Sequence, residues 1–429
     1  MSFYEICGGR PLRGELRVQG AKNSALPILA AALLAPGQSV IRNCPDLSDV
    51  TAALEILRLL GCRTVREGDA VLIDASQLTG CGIPDRLMRE MRSSVIFLGA
   101  LLARLGRAEL SYPGGCELGP RPIDLHLAAL RGLGAEITEE QGRLTCTQGQ
   151  GLAGRELCLS IPSVGATENA MLAACGARGL TTIVGAAREP EIVDLQRFLN
   201  AMGARVSGAG SPMITIQGGA PLHPAEHTVM GDRIAAATYL CAVGAAGGEL
   251  RLTGVDPADL AAVCCCLEEA GCRLHTDGEG LSIAASGRMR GIRTVRTAPY
   301  PGFPTDMQPQ IAAVLCLAQG TSVLTEGVWD NRYRYVDEFR RMGAQIQVDG
   351  KIAVIEGVEK LTGARIQACD LRAGAAMVIA GLAAQGTTEI GCIHHIERGY
   401  EDIVRKLSGV GADIRVVVTP DEEKQSQVG

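Results

Sequence analysis

The chain has 429 residues, of which 47% are hydrophobic and only 3% aromatic, and it carries a net charge of −6. That length exceeds what one core usually serves and favours two domains, while the acidic balance offers no bulk electrostatic case for nucleic acid or a membrane surface. The longest apolar run, Ala25 to Ala35, is too short for a bilayer span and fits a buried helix.

In chain order, Met1 to Gly9 has neither a basic start nor an apolar core, so no signal peptide is expected. An Ala-rich helix is predicted from Lys22-Asn23-Ser24. A second, amphipathic helix ends at Leu60-Gly61-Cys62. The same closing cassette, an apolar residue, then Gly, then Ala or Cys, returns at Gly134, Gly203, Gly271, Gly343 and Gly411, with gaps of 73, 69, 68, 72 and 68 residues. Such regularity predicts one structural unit used six times, three to a domain. Each unit reads as strand, Ala-rich first helix, a return strand such as Thr181 to Val184, and a second helix stopped by the left-handed glycine. The other first helices are predicted to begin near Arg121-Pro122-Ile123-Asp124, Ser163-Val164-Gly165, Asp232-Arg233, Thr305-Asp306 and Asp370-Leu371-Arg372. Charges and capping residues gather at those starts, while the helix bodies are apolar on most of their surface and so should be buried. Each unit thereby keeps its polar chemistry at the end that carries free N–H groups and the positive dipole, a setting for anions.

Sixteen cysteines are scattered without any C-x-x-C pair, which reads as free thiols in a reducing cytoplasm. Cys264-Cys265-Cys266 point to different faces of one helix and read as apolar fillers rather than a metal site. Cys116 differs. It lies in Tyr112 to Pro122, with three Gly and three Pro in eleven residues, a composition that predicts a mobile surface loop. A thiol near Arg121 and a helix start has grounds for a lowered pKa, set against an incidental exposed cysteine.

Several segments together carry a resemblance. Gly20-Ala21-Lys22-Asn23-Ser24-Ala25-Leu26-Pro27, the Cys116 loop with Arg121-Pro122-Ile123-Asp124-Leu125-His126, Ala187-Arg188-Glu189-Pro190-Glu191-Ile192, Phe303-Pro304-Thr305-Asp306-Met307-Gln308 and Glu397-Arg398-Gly399-Tyr400-Glu401 resemble the UDP-N-acetylglucosamine enolpyruvyl transferases, in order and from about Gly8 to Val418. The resemblance implies the α/β (α+β) enolpyruvyl transferase fold. In it, two similar domains each contain three βαβαββ repeats arranged as an inside-out α/β barrel, with substrate held between them. One domain is expected over 22–231 and the other over 1–21 with 232–418, followed by a disordered tail over 419–429.

The implied reaction moves the enolpyruvyl group of phosphoenolpyruvate to the 3-hydroxyl of UDP-N-acetylglucosamine, the opening step of peptidoglycan synthesis, with no cofactor and no metal. Cys116 takes the proton-donor role, and Asp306 lies against the sugar hydroxyl. Lys22, Asn23, Arg121, Arg332, Arg372 and Arg398 hold phosphoenolpyruvate. For UDP-N-acetylglucosamine the matched positions are Asn23, Arg92, Arg121, Pro122, Asp124, Leu125, Ser163, Val164, Gly165, Asp306 and Val328. Without the resemblance, any one of these arginines reads as a solvated charge or structural ion pair, and Asp306 as a plain cap. A cytoplasmic enzyme acting on two small molecules, without nucleic acid or membrane and as a monomer, is the expectation.

Ile96 stands where an aromatic residue is common, Ile161 and Pro162 where some members carry a lysine, and Trp329 where Phe is frequent. The first two bear on nucleotide affinity rather than on the reacting centre, and the third is a conservative change. Three rival readings stand beside this one: the sister enzyme acting on shikimate 3-phosphate, an idle regulatory relative, and a purely structural repeat protein.

Overall fold

The computed structural model describes residues 2–111, 123–278 and 280–419, and of Arg92 the backbone alone. Cys116, Arg121, Pro122 and all but Thr419 of the expected tail therefore lie outside the described residues. The described parts of Met1–Val18, Arg233–Ala298 and Phe303–Gly429 form one compact unit, and those of Gln19–Asp232 and Pro299–Gly302 form the other.

Six inner helices organise the chain: α1 Lys22–Ala31, α2 Phe97–Leu105, α3 Val164–Gly176, α4 Arg233–Ala246, α5 Gln308–Cys316 and α6 Leu371–Ala383. They are as buried as their apolar surfaces require. In α6 every residue from Arg372 to Leu382 is buried. An outer helix follows in each repeat, and the six cassette glycines all adopt left-handed φ values, from 92° at Gly343 to 111° at Gly271. An L side chain is strained in that region, whereas glycine is not.

One assignment needs correction. The helix predicted to open the second repeat, Asp124–Gly132, is its outer helix, because the return strand Arg107–Ser111 precedes it and Gly134 follows it. The inner helix of that repeat is α2, which starts without a charged cap after the 3₁₀ turn Arg92–Ile96. The polar cluster at Arg121 to Asp124 imitated the start of an inner helix.

Each repeat ends in a four-stranded mixed sheet, and six such sheets form among the described residues. In the third, Glu156–Cys158 runs parallel to Gly179–Val184, with Leu157 opposite Ile183, and Met213–Gly218 pairs with the latter antiparallel. Repeats near the chain start exchange strands. Leu12–Arg17 pairs in parallel with Gly248–Thr253, while the first repeat receives Glu226–Thr228 alongside Gln38–Arg42. Ser2–Cys7 lies between Thr387–Gly391 and Asp413–Val418. Each unit is thus closed by strands brought from a distant part of the sequence.

Small residues set the approach of α2 to α3. A Cβ on Gly99 would lie 2.3 Å from the carbonyl oxygen of Asn169, and one on Gly176 would lie 2.7 Å from the Ala103 Cβ. One continuous apolar core fills each unit, the first around α1 to α3 and the second around α4 to α6. The abundance of Ala and Gly, rather than aromatic bulk, makes this packing possible.

Candidate active site

In the unit containing α1, the start of that helix is fastened by buried carboxylates. The Lys22 ammonium lies 3.0 Å from Asp49 Oδ2, with both side chains at or below 10% exposure. The Lys22 backbone N–H donates to Asp232 Oδ2 at 3.4 Å. Two residues on, the Ser24 hydroxyl donates to Asp194 Oδ2 at 2.5 Å. Asp194 also accepts from the Met230 backbone N–H at 3.1 Å and meets His227 Nε2 at 2.9 Å. Asn23 stands exposed between these anchored neighbours. An ammonium at the first turn of a buried helix, near the positive end of the helix dipole, suits an anion.

Ser163, Val164 and Gly165 open α3, where the Ser163 hydroxyl accepts from Ala166 N–H at 3.4 Å. Asp124 and Leu125 begin the helix packed on α3, Asp124 exposed and Leu125 half-buried. That packing is fixed by Asn169, whose amide nitrogen is 2.8 Å from His126 Nδ1 and donates to the Val95 carbonyl at 2.9 Å, while its oxygen accepts from Gly99 N–H. Further along α3, burial and the neighbouring carboxylates of Glu191 and Glu189 push Glu168 well above the usual carboxylate range, favouring its neutral form. Ile96 is buried and Ile161 is 61% exposed.

In the other unit, Asp306 is the centre. Its Oδ1 receives Arg332 Nη2 at 3.1 Å, and its Oδ2 receives Arg372 Nε at 3.1 Å and Nη2 at 3.0 Å. The two guanidiniums are buried, at 1% and 6% side-chain exposure, whereas Asp306 is 30% exposed. A carboxylate held between two forks cannot easily rotate, so its oxygens point in set directions. Arg332 also donates twice to the Thr305 carbonyl, at 3.1 and 2.9 Å. Behind Arg372, the Tyr400 ring lies 5.8 Å from the guanidinium carbon, and the Tyr400 hydroxyl is 2.9 Å from the Thr238 hydroxyl. Arg398 follows the short helix His394–Glu397, two residues before Tyr400. Val328 is 40% exposed, on the segment that follows strand Thr321–Thr325.

The structure therefore brings Asp306, Arg332 and Arg372 into direct contact, and places Lys22 with Asn23, and Ser163 to Gly165, at two helix starts. A family model described as EPSP synthase (3-phosphoshikimate 1-carboxyvinyltransferase) matches residues 6–407. The chain belongs to the EPSP synthase family. Within that family it is similar to the UDP-N-acetylglucosamine 1-carboxyvinyltransferase 2 of Caldanaerobacter subterraneus subsp. tengcongensis, 51% identical over 96% of this chain and 99% of that one. A UDP-N-acetylglucosamine 1-carboxyvinyltransferase 1 of Symbiobacterium thermophilum is 49% identical, over 96% of this chain and 94% of its own. Among solved structures, the enolpyruvyl transferase NikO from Streptomyces tendae superposes with a TM-score of 0.88 at 29% identity, covering 98% of this chain and 99% of that one. The EPSP synthase of Acinetobacter baumannii, at 20% identity and a TM-score of 0.73 over 97% of this chain and 100% of its own, shares the enolpyruvyl transferase fold.

For an EPSP synthase family member, sequence reasoning overlooked Asp49, Asp194, Glu326 and Tyr400, all buried polar partners of the expected residues. For the three carboxylates, a charged residue inside an otherwise apolar pattern is the available signal. Glu326 ends the strand-like Thr321-Ser322-Val323-Leu324-Thr325, and Asp49 opens the helix Ser48–Leu59. None of the described cysteines forms a disulfide. Burial pushes Cys175, Cys264 and Cys266 up to about 12, which agrees with the reading of Cys264 and Cys266 as fillers, whereas Cys265 between them is exposed and fills no core.

Proposed function

We propose that this chain transfers the enolpyruvyl group of phosphoenolpyruvate to the 3-hydroxyl of UDP-N-acetylglucosamine and releases phosphate. The observation that carries this reading is the Asp306 carboxylate held between Arg332 and Arg372, in a chain 51% identical over nearly its full length to a protein bearing that activity in its name. Addition comes first. The sugar oxygen bonds to C2 of phosphoenolpyruvate, the enol CH₂ gains a proton to become CH₃, and the hydroxyl proton leaves to a base. Elimination then breaks the C2–phosphate bond and removes a proton from the CH₃, restoring the double bond.

Asp306 suits the base at the sugar hydroxyl because its oxygens are oriented and partly open to solvent. Lys22, with Arg332, Arg372 and Arg398, supplies positive charge for the carboxylate and phosphate of phosphoenolpyruvate. Cys116 donates the proton, and Arg121 adds to the phosphoenolpyruvate set. Asn23, Arg92, Pro122, Asp124, Leu125, Ser163, Val164, Gly165 and Val328 complete the sugar-nucleotide site. A cytoplasmic role in peptidoglycan synthesis, with sensitivity to an epoxide such as fosfomycin at Cys116, belongs to the same reading. Among the described residues no helix is long and apolar enough to cross a membrane.

The test is phosphate release from phosphoenolpyruvate by purified protein, with and without UDP-N-acetylglucosamine, and with shikimate 3-phosphate as a parallel acceptor. Release that requires the sugar nucleotide, with a product heavier by one enolpyruvyl group, is expected. Release driven by shikimate 3-phosphate instead, or silence with both acceptors, overturns the reading.

A further inference from the structure

We propose that Glu326 is a positioning residue that locks two substrate-facing segments, the Thr305–Asp306 turn and the Gly327–Trp329 segment, into one register. This rests on the reading of Asp306 and Val328 as sugar-nucleotide residues given above.

Glu326 is 1% exposed. A buried carboxylate is costly unless its oxygens are satisfied, and here backbone N–H groups and one hydroxyl do so. Oε1 accepts from the backbone N–H groups of Val328 at 2.8 Å and Trp329 at 3.0 Å. The Thr305 hydroxyl lies 3.0 Å from Oε1 and 3.1 Å from Oε2. The Glu326 backbone is itself anchored, since its N–H donates to the Lys351 carbonyl at 2.8 Å. The next residue is fixed as well, through Gly327 N–H to the Thr297 hydroxyl at 2.8 Å.

Thr305 is thus held from two sides, its hydroxyl by Glu326 and its carbonyl by Arg332, which also grips Asp306. What Glu326 binds lies behind two groups that remain open: the Asp306 side chain at 30% exposure and Val328 at 40%. A single buried anion therefore fixes the spacing between the carboxylate facing the sugar hydroxyl and the segment facing the rest of the sugar nucleotide. Moving either segment alone breaks a charge-assisted bond in a dry setting, so the two move together or not at all.

The experiment measures kcat, and KM for each substrate, in Glu326→Ala, Glu326→Gln, Thr305→Val and Thr305→Ser, with Asp306→Asn as reference. For Glu326→Ala and Thr305→Val we expect KM for UDP-N-acetylglucosamine to rise and kcat to fall, each by roughly tenfold, because displacement near 1 Å misaligns reacting groups. KM for phosphoenolpyruvate should stay within about threefold of wild type, since Arg332 meets Thr305 through the backbone carbonyl, which neither substitution removes. Glu326→Gln and Thr305→Ser should restore most of the loss, as the amide oxygen still accepts both N–H groups and Ser keeps the hydroxyl. The double variant Glu326→Ala/Thr305→Val should be little worse than either single change, the signature of a shared bond. Thr305→Val is nearly isosteric and carries the test if Glu326→Ala does not fold. Folded Thr305→Val with all constants at wild-type values, beside an inactive Asp306→Asn, overturns the proposal while leaving the site intact. A fully active Asp306→Asn instead sinks the reading of the site itself.

Discussion

Replacing Asp306 separates its structural role from its chemical one. In Asp306→Ala, Arg332 and Arg372 lose a shared counter-charge while their side chains remain at 1% and 6% exposure. Breaking a buried ion pair from one side costs about 3–5 kcal/mol. Because Asp306 is itself 30% exposed, water can reach the gap and the lower end applies, about 3 kcal/mol. Asp306→Asn keeps shape and one acceptor oxygen, but turns an NH₂ toward one guanidinium, so a loss of about 1–2 kcal/mol is expected. The kinetic order is different. Neither variant retains a base for the sugar hydroxyl, so both should lose roughly 10²–10⁴-fold in kcat, the usual span for positioned proton transfer. Urea unfolding gives the first quantity, and phosphate release at saturating substrates gives the second. Asp306→Asn turning over within about threefold of wild type would refute the base assignment, and Asp306→Ala as stable as wild type would refute the buried-pair reasoning.

Lys22→Ala should depress kcat/KM for phosphoenolpyruvate more than for the sugar nucleotide, and Asp49→Asn should act in the same direction more weakly because it leaves the ammonium present but unanchored; equal losses for both substrates would remove Lys22 from the phosphate site. At pH 8 a disulfide reagent should label exposed Cys158, Cys265 and Cys392 promptly and spare Cys175 until denaturant is added, because a thiol at about 12 is thiolate in only about one molecule in 10⁴. The raised thiols also stabilise the fold fully below their unfolded pKa, and that contribution fades as pH rises through 9 toward 12, so the melting temperature should fall over that window. Gly20→Ala should fail to fold or melt far below wild type, since its Cβ would lie 1.8 Å from the Asn43 carbonyl oxygen; an unchanged melting curve would contradict the close approach.

The periodic part of this architecture was legible because it depends on local rules. Gly61, Gly134, Gly203, Gly271, Gly343 and Gly411 each stop a helix by backbone conformation alone, and no tertiary partner is needed to predict that. The second repeat misled for the same local reason. Arg121 to Asp124 looks like a capped start, while the true inner helix at Phe97 begins from a 3₁₀ turn with no side-chain cap. Strand exchange was illegible. Nothing in Glu226-His227-Thr228 shows that it will pair with Gln38–Arg42, because that choice is settled by closure of the unit rather than by the strand's own residues.

The site divides along the same line. Asp306, Lys22 and Ser163 stand at helix starts, where a sequence pattern shows both the start and the charged or polar side chain. Asp49, Asp194, Glu326 and Tyr400 act at a distance in sequence, 27 residues from Lys22, 170 from Ser24, 21 from Thr305 and 28 from Arg372. Each is a buried polar group. Burial of that kind is tolerated when every donor and acceptor finds a partner, and the partners here are the turns that present the expected residues. Inner helices made of Ala, Leu, Val and Ile leave little room for polar groups along their length, so charge is pushed to the N-terminal ends and the buried anions collect behind them. The architecture that hides these helices is therefore also what concentrates the chemistry.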